Sequence, residues 1–353
     1  MNTKVVKVDP GDTKNIYLKE AADILSSGGL VIIPTETVYG IAANMLSQAS
    51  LDRLYAIKQR PKDKPLTLHI EEKEKLKNFA MDIPTAAYKL INKFWPGPLT
   101  LVLKSKKNCT IGIRLPDNLI AQQVIALSGV PVVCPSANIS GMPAPVNFQD
   151  AIKDLSGLVD FAIDSGDTGL GIESSVIDLT GGEPAILREG AIKKTDIESI
   201  LNKKTVLFIC TGNSCRSVMA KALLEKKLKE KKRQDVEVLS AGIMMFSGLS
   251  ASEETRELLK KEGMDVSGHR SQRITEEMLK GSDIILVMER LHEKRVWELT
   301  PEVKNRLFLL KEFAKIDDNN QMDILDPIGK SYEFYEETFY TIKEAVGRVA
   351  DII

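Results

Sequence analysis

The chain has 353 residues, of which 43% are hydrophobic and 27% charged, and its formal net charge is −1 at pH 7. Such a length exceeds one typical hydrophobic core, so two domains are expected, and the balanced charge excludes a global field for nucleic acid. We find no apolar run of about 18 residues and no apolar signal segment near the N-terminus, so we expect no membrane contact and a cytoplasmic location. The four cysteines are too few for a disulfide framework.

The first half of the chain alternates apolar runs with polar turns. Residues 17–28 predict an amphipathic helix that ends at two glycines, and residues 30–33 predict a buried strand. A second helix is predicted over 48–59 and another strand over 99–103. Several predicted strands end in hydroxyl, amide or cationic side chains, and ligand sites in α/β sheets usually lie at that edge. Because no Walker-type or G-x-G-x-x-G loop is present, a nucleotide would be bound in another way.

Seven short segments carry most of these polar residues. They are Pro34–Gly40, Lys58–His69 (K-x-R-P-x-x-x-P-L-x-x-H), Phe94–Thr100, Arg114–Pro116, Pro135–Asn138, Ser174–Val176 and Leu187–Gly190. In this order they resemble the YrdC-like threonylcarbamoyl-AMP synthase family, and the resemblance covers about residues 15–200. Glu36 stands where that family often has aspartate. Taken singly, the residues have ordinary structural explanations, so the functional prediction depends on the ordered set.

The resemblance implies a mixed-sheet domain that condenses L-threonine, bicarbonate (or CO2) and ATP to threonylcarbamoyl-AMP and pyrophosphate. Mg2+ is expected to accompany ATP, with no metal bound by protein side chains alone. Proteins of a tRNA-modification transferase complex would then transfer the group to an adenosine of tRNA, which leaves room for contact with tRNA itself.

The resemblance also implies roles for individual residues. Arg114 would bind the threonine carboxylate as a fork-shaped donor, and Lys58 and Arg60 would neutralise charge on the phosphates as pyrophosphate leaves. The expected threonine pocket consists of Thr35, His69, Arg114 and Ser175. The expected nucleotide and phosphate contacts are Lys58, Arg60, Thr110, Ser136, Asn138 and Arg188.

The second half begins after a short helix predicted over 191–204, which gives domains 1–203 and 204–353. It alternates predicted strands and helices over 205–210, 217–232, 236–241, 252–263, 282–288, 306–310 and 333–352. Such alternation predicts a parallel sheet covered by helices on both faces, as in the flavodoxin-like topology. The charge run 225–233 is interpreted as a solvated helix face.

The segment Cys210–Ser217 (CTGNSCRS) reads as the end of a strand, a tight loop and the start of a helix. Backbone N–H groups and the positive end of the helix dipole meet there, which favours a bound phosphate and the thiolate form of Cys210. The guanidinium of Arg216 can bind two oxygens of a phosphoryl group.

With Asp326 and Pro327 late in the chain, residues 204–353 resemble the low-molecular-weight tyrosine phosphatases, which implies a flavodoxin-like fold. The implied catalytic residues are Cys210 (nucleophile), Arg216 (phosphate binding), Asn213 (loop geometry), Ser217 (stabilisation of the leaving thiolate) and Asp326 (general acid and base). Cys215 could form a protective disulfide with Cys210 or could simply fill space.

The resemblance leaves open which phosphorylated side chain is the substrate of the second domain. Ile328 stands where tyrosine-directed members begin an aromatic stretch, and the C-terminal segment is closer to bacterial protein-arginine phosphatases. Those enzymes have threonine at the position of Ser214, whereas tyrosine-directed members commonly have a bulky aliphatic residue there. Serine lacks the methyl group of threonine but is likewise small and polar, so we favour phosphoarginine over phosphotyrosine and treat Ser214 as the specificity residue. Tyr332 and Tyr335 could still supply an aromatic wall, which keeps phosphotyrosine as the alternative.

Two further alternatives concern the class of activity. Thioredoxin-coupled arsenate reductases share this loop but need a further cysteine pair downstream, and none follows Cys215. The first half could be only a tRNA- or nucleotide-binding module, although intact Lys58, Arg60 and Arg114 favour an enzyme.

Overall fold

The computed structural model describes residues 2–106, 109–244, 247–316 and 321–353. It divides into two compact units, Met1–Glu198 and Ser199–Ile353. The division lies a few residues before the boundary predicted between 203 and 204, which itself stays a prediction.

The first unit is an α/β structure. Within its described residues the strands are β1 (Lys4–Lys7), β2 (Val31–Ile33), β3 (Gly40–Asn44), β4 (Thr67–His69), β5 (Leu99–Lys104), β6 (Thr110–Arg114), β7 (Val132–Val133), β8 (Phe161–Asp164), β9 (Ser175–Asp178) and β10 (Ala185–Arg188). The helices are α1 (Ile16–Ser26), α2 (Gln48–Lys58), α3 (Leu76–Phe79), α4 (Thr85–Phe94), α5 (Leu119–Ser128), α6 (Phe148–Lys153) and α7 (Lys194–Leu201), with a 3-10 turn at Lys73–Lys75. Helix α7 crosses the division between the units.

These strands form one mixed sheet in the order β1-β8-β2-β3-β7-β4-β6-β5-β9-β10. Strands β4 and β6 are parallel, whereas β7 runs antiparallel to β4 and to β3. Side chains of β2 alternate between two cores: Val31 and Ile33 pack in one, and Ile32 packs in the other. Since successive side chains of a strand point to opposite faces, the sheet is buried on both sides, and the predicted mixed-sheet architecture is confirmed.

The two predicted helices α1 and α2 lie within a few residues of their predicted bounds, 17–28 and 48–59, whereas α3 to α6 had not been predicted. Asn15 caps α1, its side chain accepting from the backbone N–H of Tyr17, and the chain leaves α1 through Gly28 at φ 88°. Helix α2 ends at Gln59, which adopts φ 49°. That left-handed residue turns the chain away from the helix axis directly before the cationic segment.

The second unit is also α/β. Its strands, within the described residues, are β11 (Lys204–Cys210), β12 (Val236–Gly242), β13 (Ile284–Val287) and β14 (Leu307–Leu309). Its helices are α8 (Arg216–Glu230), α9 (Glu253–Lys261), α10 (Glu276–Gly281), α11 (Arg290–Leu299), α12 (Leu310–Phe313) and α13 (Tyr332–Ile352), with a 3-10 segment at Pro301–Arg306. The short helices α10, α11 and α12 had not been predicted.

Strand β11 lies inside a parallel sheet ordered β12-β11-β13-β14. Val206 and Phe208 pack against one core with α8 and α13, and Leu207 and Ile209 pack into the other. The predicted flavodoxin-like parallel sheet is confirmed, and its central strand ends at Cys210. In the described part of the chain, no helix is both long and apolar enough to cross a bilayer.

Candidate functional sites

A cavity of about 120 Å³ lies in the first unit, where several of the predicted segments meet. The predicted site residues that line it are Thr35, Arg60, His69, Arg114, Ser136 and Arg188. They come from both ends of the unit's sequence, so the fold gathers them. Thr100, Glu173 and Ser174 also line the cavity. Thr100 and Ser174 lie inside the quoted segments, whereas Glu173 carried no sequence signal.

Thr35 shapes the turn that follows β2. Its hydroxyl donates to the carbonyl of Val38 at 2.7 Å and lies within 3.3 Å of the N–H groups of Thr37 and Val38. These bonds satisfy the backbone of a buried turn, which would otherwise be costly. The Thr35 side chain is therefore a structural element of the cavity wall as well as a candidate ligand contact.

Arg114 lies at the end of β6, beside His69 in the register of the parallel pair β4 and β6. Its Nη2 donates to Glu36 Oε1 at 2.6 Å and to Thr37 Oγ1 at 2.9 Å, and its Nε donates to the Gly97 carbonyl at 3.3 Å. Both the guanidinium and the Glu36 carboxylate are buried. The strand register thus places a fixed cation in the cavity wall.

His69 is a neutral imidazole in this setting. Burial and, to a smaller extent, the charge of Arg114 lower its pKa to about 3. A neutral ring can donate or accept a hydrogen bond without adding charge, so His69 can contact a polar group of a ligand at every pH near neutrality.

Lys58 does not line the cavity, although the resemblance implied that it contacts the phosphates. Its ammonium is buried and donates to the carbonyls of Ser136 at 2.5 Å and Asn138 at 2.8 Å. Burial lowers the pKa of Lys58 to about 8, with a smaller contribution from Arg60. The side chain thus holds the loop after β7 through hydrogen bonds to its carbonyls. Ser136 belongs to that loop and lines the cavity.

Asn138 belongs to the same loop and also lies outside the cavity wall. Its Oδ1 accepts from Ser136 Oγ at 2.6 Å, and its Nδ2 donates to the Met142 carbonyl at 2.5 Å. The amide therefore fixes the hydroxyl of Ser136. The structure gives Asn138 a supporting position rather than a cavity contact.

Arg60 and Arg188 bring two positive charges to the cavity from distant parts of the sequence. Arg60 donates to the carbonyl of Pro65 at 2.9 Å, which folds the proline-rich segment around it. Arg188 pairs with Glu173 at 2.7 Å and donates through Nε to the Ser174 carbonyl at 3.0 Å. Both are partly solvated, so their charge is available to an anionic ligand.

Thr110 and Ser175 do not lie where they were predicted. Thr110 is exposed at the opposite end of β6 from Arg114, roughly 13 Å along the strand. The Ser175 hydroxyl is fully buried, donates to the Ile192 carbonyl at 2.6 Å and accepts from the N–H of Gly190 at 2.9 Å. Because strand residues alternate in direction, the neighbouring Ser174 faces the cavity instead.

The second unit has its candidate site at the end of β11. Cys210 Sγ lies 3.0 Å from Ser217 Oγ and accepts from the backbone N–H of Asn213 at 3.3 Å. Both side chains are buried, and Ser217 stands in the first turn of α8. The predicted contact between the thiol and this hydroxyl is therefore present in the structure.

Asn213 fixes the loop. It adopts φ 54°, and its Nδ2 donates to Ser217 Oγ at 2.9 Å and to Ser240 Oγ at 3.0 Å. Its Oδ1 accepts from the backbone N–H of Gln272 at 2.9 Å. One amide thus connects the loop to β12 and to the segment before α10, and no pattern in the sequence predicts these contacts.

Arg216 is almost fully buried, and two carboxylates bind its guanidinium. Nη1 donates to Glu289, and Nη2 donates to Asp326 and, at 3.0 Å, to Thr211 Oγ1. Its Nε is buried without a partner among the described residues. A buried donor without an acceptor is costly, and an oxygen of a phosphoryl group bound in the loop would supply one.

His292 supports this arrangement from α11. Its Nδ1 accepts from the backbone N–H of Glu289 at 3.1 Å, so Nε2 carries the hydrogen and donates to Thr211 Oγ1 at 3.0 Å. Burial lowers the pKa of His292 to about 4, and the charge of Arg216 acts in the same direction. The imidazole is therefore neutral near pH 7 and orients the Thr211 hydroxyl beside Arg216.

Cys215 and Tyr335 lie together behind the loop. Cys215 Sγ donates to Ser252 Oγ at 3.3 Å and lies 3.7 Å from the Tyr335 hydroxyl. Both Cys210 and Cys215 are free thiols in the structure. Tyr335 is buried in the core with α8 and does not form the aromatic wall proposed as an alternative. Tyr332 is half-buried, with the Lys261 ammonium 5.1 Å from its ring centre.

Strand β12 approaches the loop closely at Gly242. A Cβ atom there would lie 2.7 Å from the Thr211 carbonyl oxygen and 2.9 Å from the N–H nitrogen of Asn213. Real side chains do not tolerate such contacts with backbone, so glycine is required by space rather than by its φ angle. Gly242 therefore allows β12 to support the loop directly.

The residues that bear on substrate choice surround the loop. Ser214 is half-buried, and its carbonyl accepts from the N–H of Ser252 at 3.0 Å. Ile328 is exposed two residues after Asp326. Its side chain is aliphatic, so position 328 offers no ring to stack on a phenyl group.

Each unit matches a known family model. Residues 23–190 match the model of Sua5, YciO and YrdC proteins, described as telomere recombination. Residues 205–352 match the model of low molecular weight phosphotyrosine protein phosphatases.

Curated relatives agree with this division. A threonylcarbamoyl-AMP synthase of Pyrococcus abyssi is 40% identical over 195 residues, which cover 53% of this chain and 57% of the relative. A putative threonylcarbamoyl-AMP synthase of Methanocaldococcus jannaschii is 34% identical over 54% of this chain and 92% of the relative. A protein-arginine-phosphatase of Geobacillus stearothermophilus is 36% identical over 41% of this chain and 93% of the relative. The chain thus spans little more than half the length of the Pyrococcus synthase.

A solved structure is similar as well. The crystal structure of P. abyssi Sua5 complexed with L-threonine aligns with a TM-score of 0.54 and 26% identity, covering 86% of this chain and 98% of that one.

Proposed function

Because the chain belongs to the Sua5, YciO and YrdC family through its first unit and to the low-molecular-weight phosphatase family through its second, we propose that it carries two separate activities. The first is synthesis of threonylcarbamoyl-AMP. The second is hydrolysis of a phosphorylated protein side chain by a cysteine nucleophile. Its free thiols are consistent with a reducing cytoplasm, where we propose that it acts.

The first activity is supported chiefly by the convergence of Arg60, Arg114 and Arg188 on one cavity. Arg114 offers a buried cation for the carboxylate of L-threonine, with neutral His69 beside it. Arg60 and Arg188 are placed to balance the phosphates of ATP. The threonine amine and bicarbonate form a carbamate with loss of water, the carbamate attacks the α-phosphate, and pyrophosphate leaves.

Catalysis in this site depends on placement and charge, since no covalent enzyme intermediate is needed. Positive charge near the phosphates favours the transition state, in which charge builds on the leaving pyrophosphate. Mg2+ would accompany ATP and neutralise part of the phosphate charge, while Glu173 in the cavity wall pairs with Arg188. The product then passes to tRNA-modification transferase proteins, with tRNA as the final acceptor.

A direct test is pyrophosphate release from ATP by the full chain. Release should require both L-threonine and bicarbonate, and Arg114→Ala should abolish this threonine-dependent release. Absence of release, together with retained binding of ATP or tRNA, would instead favour a first unit that only binds nucleotide or tRNA.

The second activity is supported chiefly by the contacts of Cys210 with Ser217 and Asn213 at the start of α8. The thiolate attacks phosphorus, the bond from phosphorus to the leaving atom breaks, and Asp326 protonates that atom. Water then attacks the phosphocysteine, Asp326 accepts a proton from it, and phosphate leaves. Arg216 binds the phosphoryl oxygens throughout, and Ser217 stabilises the thiolate when it leaves.

We propose phosphoarginine as the substrate, with phosphotyrosine as the second candidate. The second unit's similarity to a protein-arginine-phosphatase supports phosphoarginine, as do the small Ser214 and the aliphatic Ile328. The burial of Tyr335 removes one of the two rings that could have stacked on a tyrosine.

Phosphate release from matched phosphoarginine and phosphotyrosine peptides tests this proposal. A higher kcat/KM for phosphoarginine is expected, and a preference for phosphotyrosine would overturn the substrate proposal without affecting the proposed chemistry. No release from either peptide or from an aryl phosphate would overturn both.

A further inference from the structure

The guanidinium of Arg114 is bound along one edge only. Glu36 Oε1, Thr37 Oγ1 and the Gly97 carbonyl accept from Nη2 and Nε, at 2.6, 2.9 and 3.3 Å. A guanidinium has five N–H donors, and no described residue accepts from Nη1. Since Arg114 lines the cavity, the Nη1 hydrogens are those left for a ligand.

Glu36 is the charged member of this set. The side chains of Arg114 and Glu36 are only 6% and 11% exposed, and a buried cation without a counter-charge would be very costly. His69 cannot supply the counter-charge, because an imidazole is either neutral or positively charged. The backbone of Glu36 is also fixed, since its carbonyl accepts from the N–H of Leu170 at 2.8 Å. The carboxylate therefore has a defined place from which to orient the guanidinium.

Stability alone does not account for Glu36. Its second oxygen, Oε2, is buried and has no partner among the described residues. A buried carboxylate oxygen without a donor destabilises the folded state. A carboxylate that lies there at this cost to folding stability points to a role in the site.

We infer that Glu36 is a positioning residue that directs Nη1 of Arg114 into the cavity, where it binds the carboxylate of the amino-acid substrate. This inference rests on the proposed synthase function and adds a residue to its threonine pocket. Because Glu36 and Thr37 occupy Nη2, the substrate carboxylate is bound through Nη1 rather than by the fork of both terminal nitrogens. Glu36 contacts the arginine and not the substrate.

The test compares Glu36→Gln and Glu36→Asp in the full chain, with steady-state pyrophosphate release and calorimetric titration of L-threonine. Loss of the charge should raise KM and Kd for L-threonine about tenfold to one-hundredfold, as expected for loss of a charged hydrogen bond, and should leave KM for ATP unchanged. Glu36→Asp keeps the charge and should recover much of the affinity. Asp52→Asn, which removes an exposed carboxylate bonded to Lys62, is the matched control and should change neither constant.

The outcomes separate this inference from the proposed function. An active wild-type chain with an unchanged threonine KM in Glu36→Gln overturns the positioning role and leaves the synthase function standing. Equal increases in KM for threonine and ATP also overturn it, because they indicate a general structural effect. A wild-type chain that neither releases pyrophosphate nor binds L-threonine overturns both.

Discussion

Arg216 donates a hydrogen bond to the carboxylate of Asp326, which lies 110 residues further along the chain. The residue proposed to bind phosphate is thus paired with the residue proposed to transfer protons. A phosphoryl group entering the loop must compete with Asp326 for the same guanidinium. Its binding would also free the Asp326 side chain for its proposed role in proton transfer.

Asp326→Asn should therefore have two opposite effects. Turnover should fall about one-hundredfold to ten-thousandfold, since the general acid and base is lost. Inorganic phosphate should inhibit the variant more strongly, by about threefold to tenfold, because less negative charge opposes it at Arg216. Inhibition constants measured with an aryl phosphate check this, and Asp235→Asn, at the exposed pair with Arg233, should change neither value. Weaker inhibition by phosphate would contradict the competition.

Cys210→Ser should abolish hydrolysis of an aryl phosphate, because a serine hydroxyl at this position is a far weaker nucleophile than a thiol. Release of p-nitrophenol is a sufficient measurement. The control is Cys109→Ser, an exposed thiol of the first unit, which should retain full phosphatase activity. Undiminished hydrolysis by Cys210→Ser would rule out the phosphocysteine mechanism.

Ser214→Thr should increase the preference for phosphoarginine over phosphotyrosine. The added methyl group narrows the loop mouth, and one methyl in a confined site changes kcat/KM ratios by about threefold to tenfold. The ratio of kcat/KM values for the two peptides gives the result, with Ser247→Thr as a control outside the loop. A fall in the ratio would mean that Ser214 does not set specificity in the proposed way.

Lys58→Met should lower both synthase activity and the stability of the first unit. Methionine fills a similar volume but cannot donate to the carbonyls of Ser136 and Asn138, and the loss of such buried charged bonds costs about 1.5–3 kcal/mol. Thermal unfolding and pyrophosphate release measure the two effects. Lys62→Met is the matched control, because Lys62 is exposed and pairs with the exposed Asp52. A variant with normal stability but poor ATP binding would restore the direct phosphate contact first expected for Lys58.

His292 should make the second unit less stable in acid. Its pKa is about 4 in the folded protein and 6.5 as the ordinary value, so between these values the unfolded chain binds more protons. Stability is therefore lost as pH falls below 6.5, by about 2 kcal/mol between pH 7 and pH 5. His292→Gln should remove that pH dependence. The free energy of unfolding by urea is measured at pH 7 and pH 5, with hydrogen exchange of α13 peptides as the probe of the second unit. An equal change in this free energy in the wild type and in His292→Gln would disprove the assignment.

Much of the fold was predictable because its core is periodic. The apolar runs at β2 and β11 and the glycines after α1 determine elements locally, and the structure has them within a few residues of the predicted bounds. Helix α11 was missed for a physical reason. It buries only His292 and Val296, so its sequence carries too narrow an apolar stripe to be recognised.

The candidate sites were predictable where one segment carries the residues and less so where several converge. Cys210, Asn213 and Ser217 lie in one loop, and their contacts follow from its tight geometry. Lys58 and Ser175 belong to correct segments, but the direction of each side chain depends on backbone carbonyls far along the chain. Thr110 lies on β6, as Arg114 does, but at the opposite end of the strand from the cavity.

Because β12 approaches the loop after β11 so closely at Gly242, the second unit cannot accommodate a side chain at this position without rearrangement. A single methyl group there would collide with the backbone of Thr211 and Asn213, while every side chain of the proposed chemistry kept its identity. Searches for inactivated copies of this enzyme that inspect only Cys210, Arg216 and Asp326 would count such a copy as intact. Residue 242 belongs among the positions from which activity is judged.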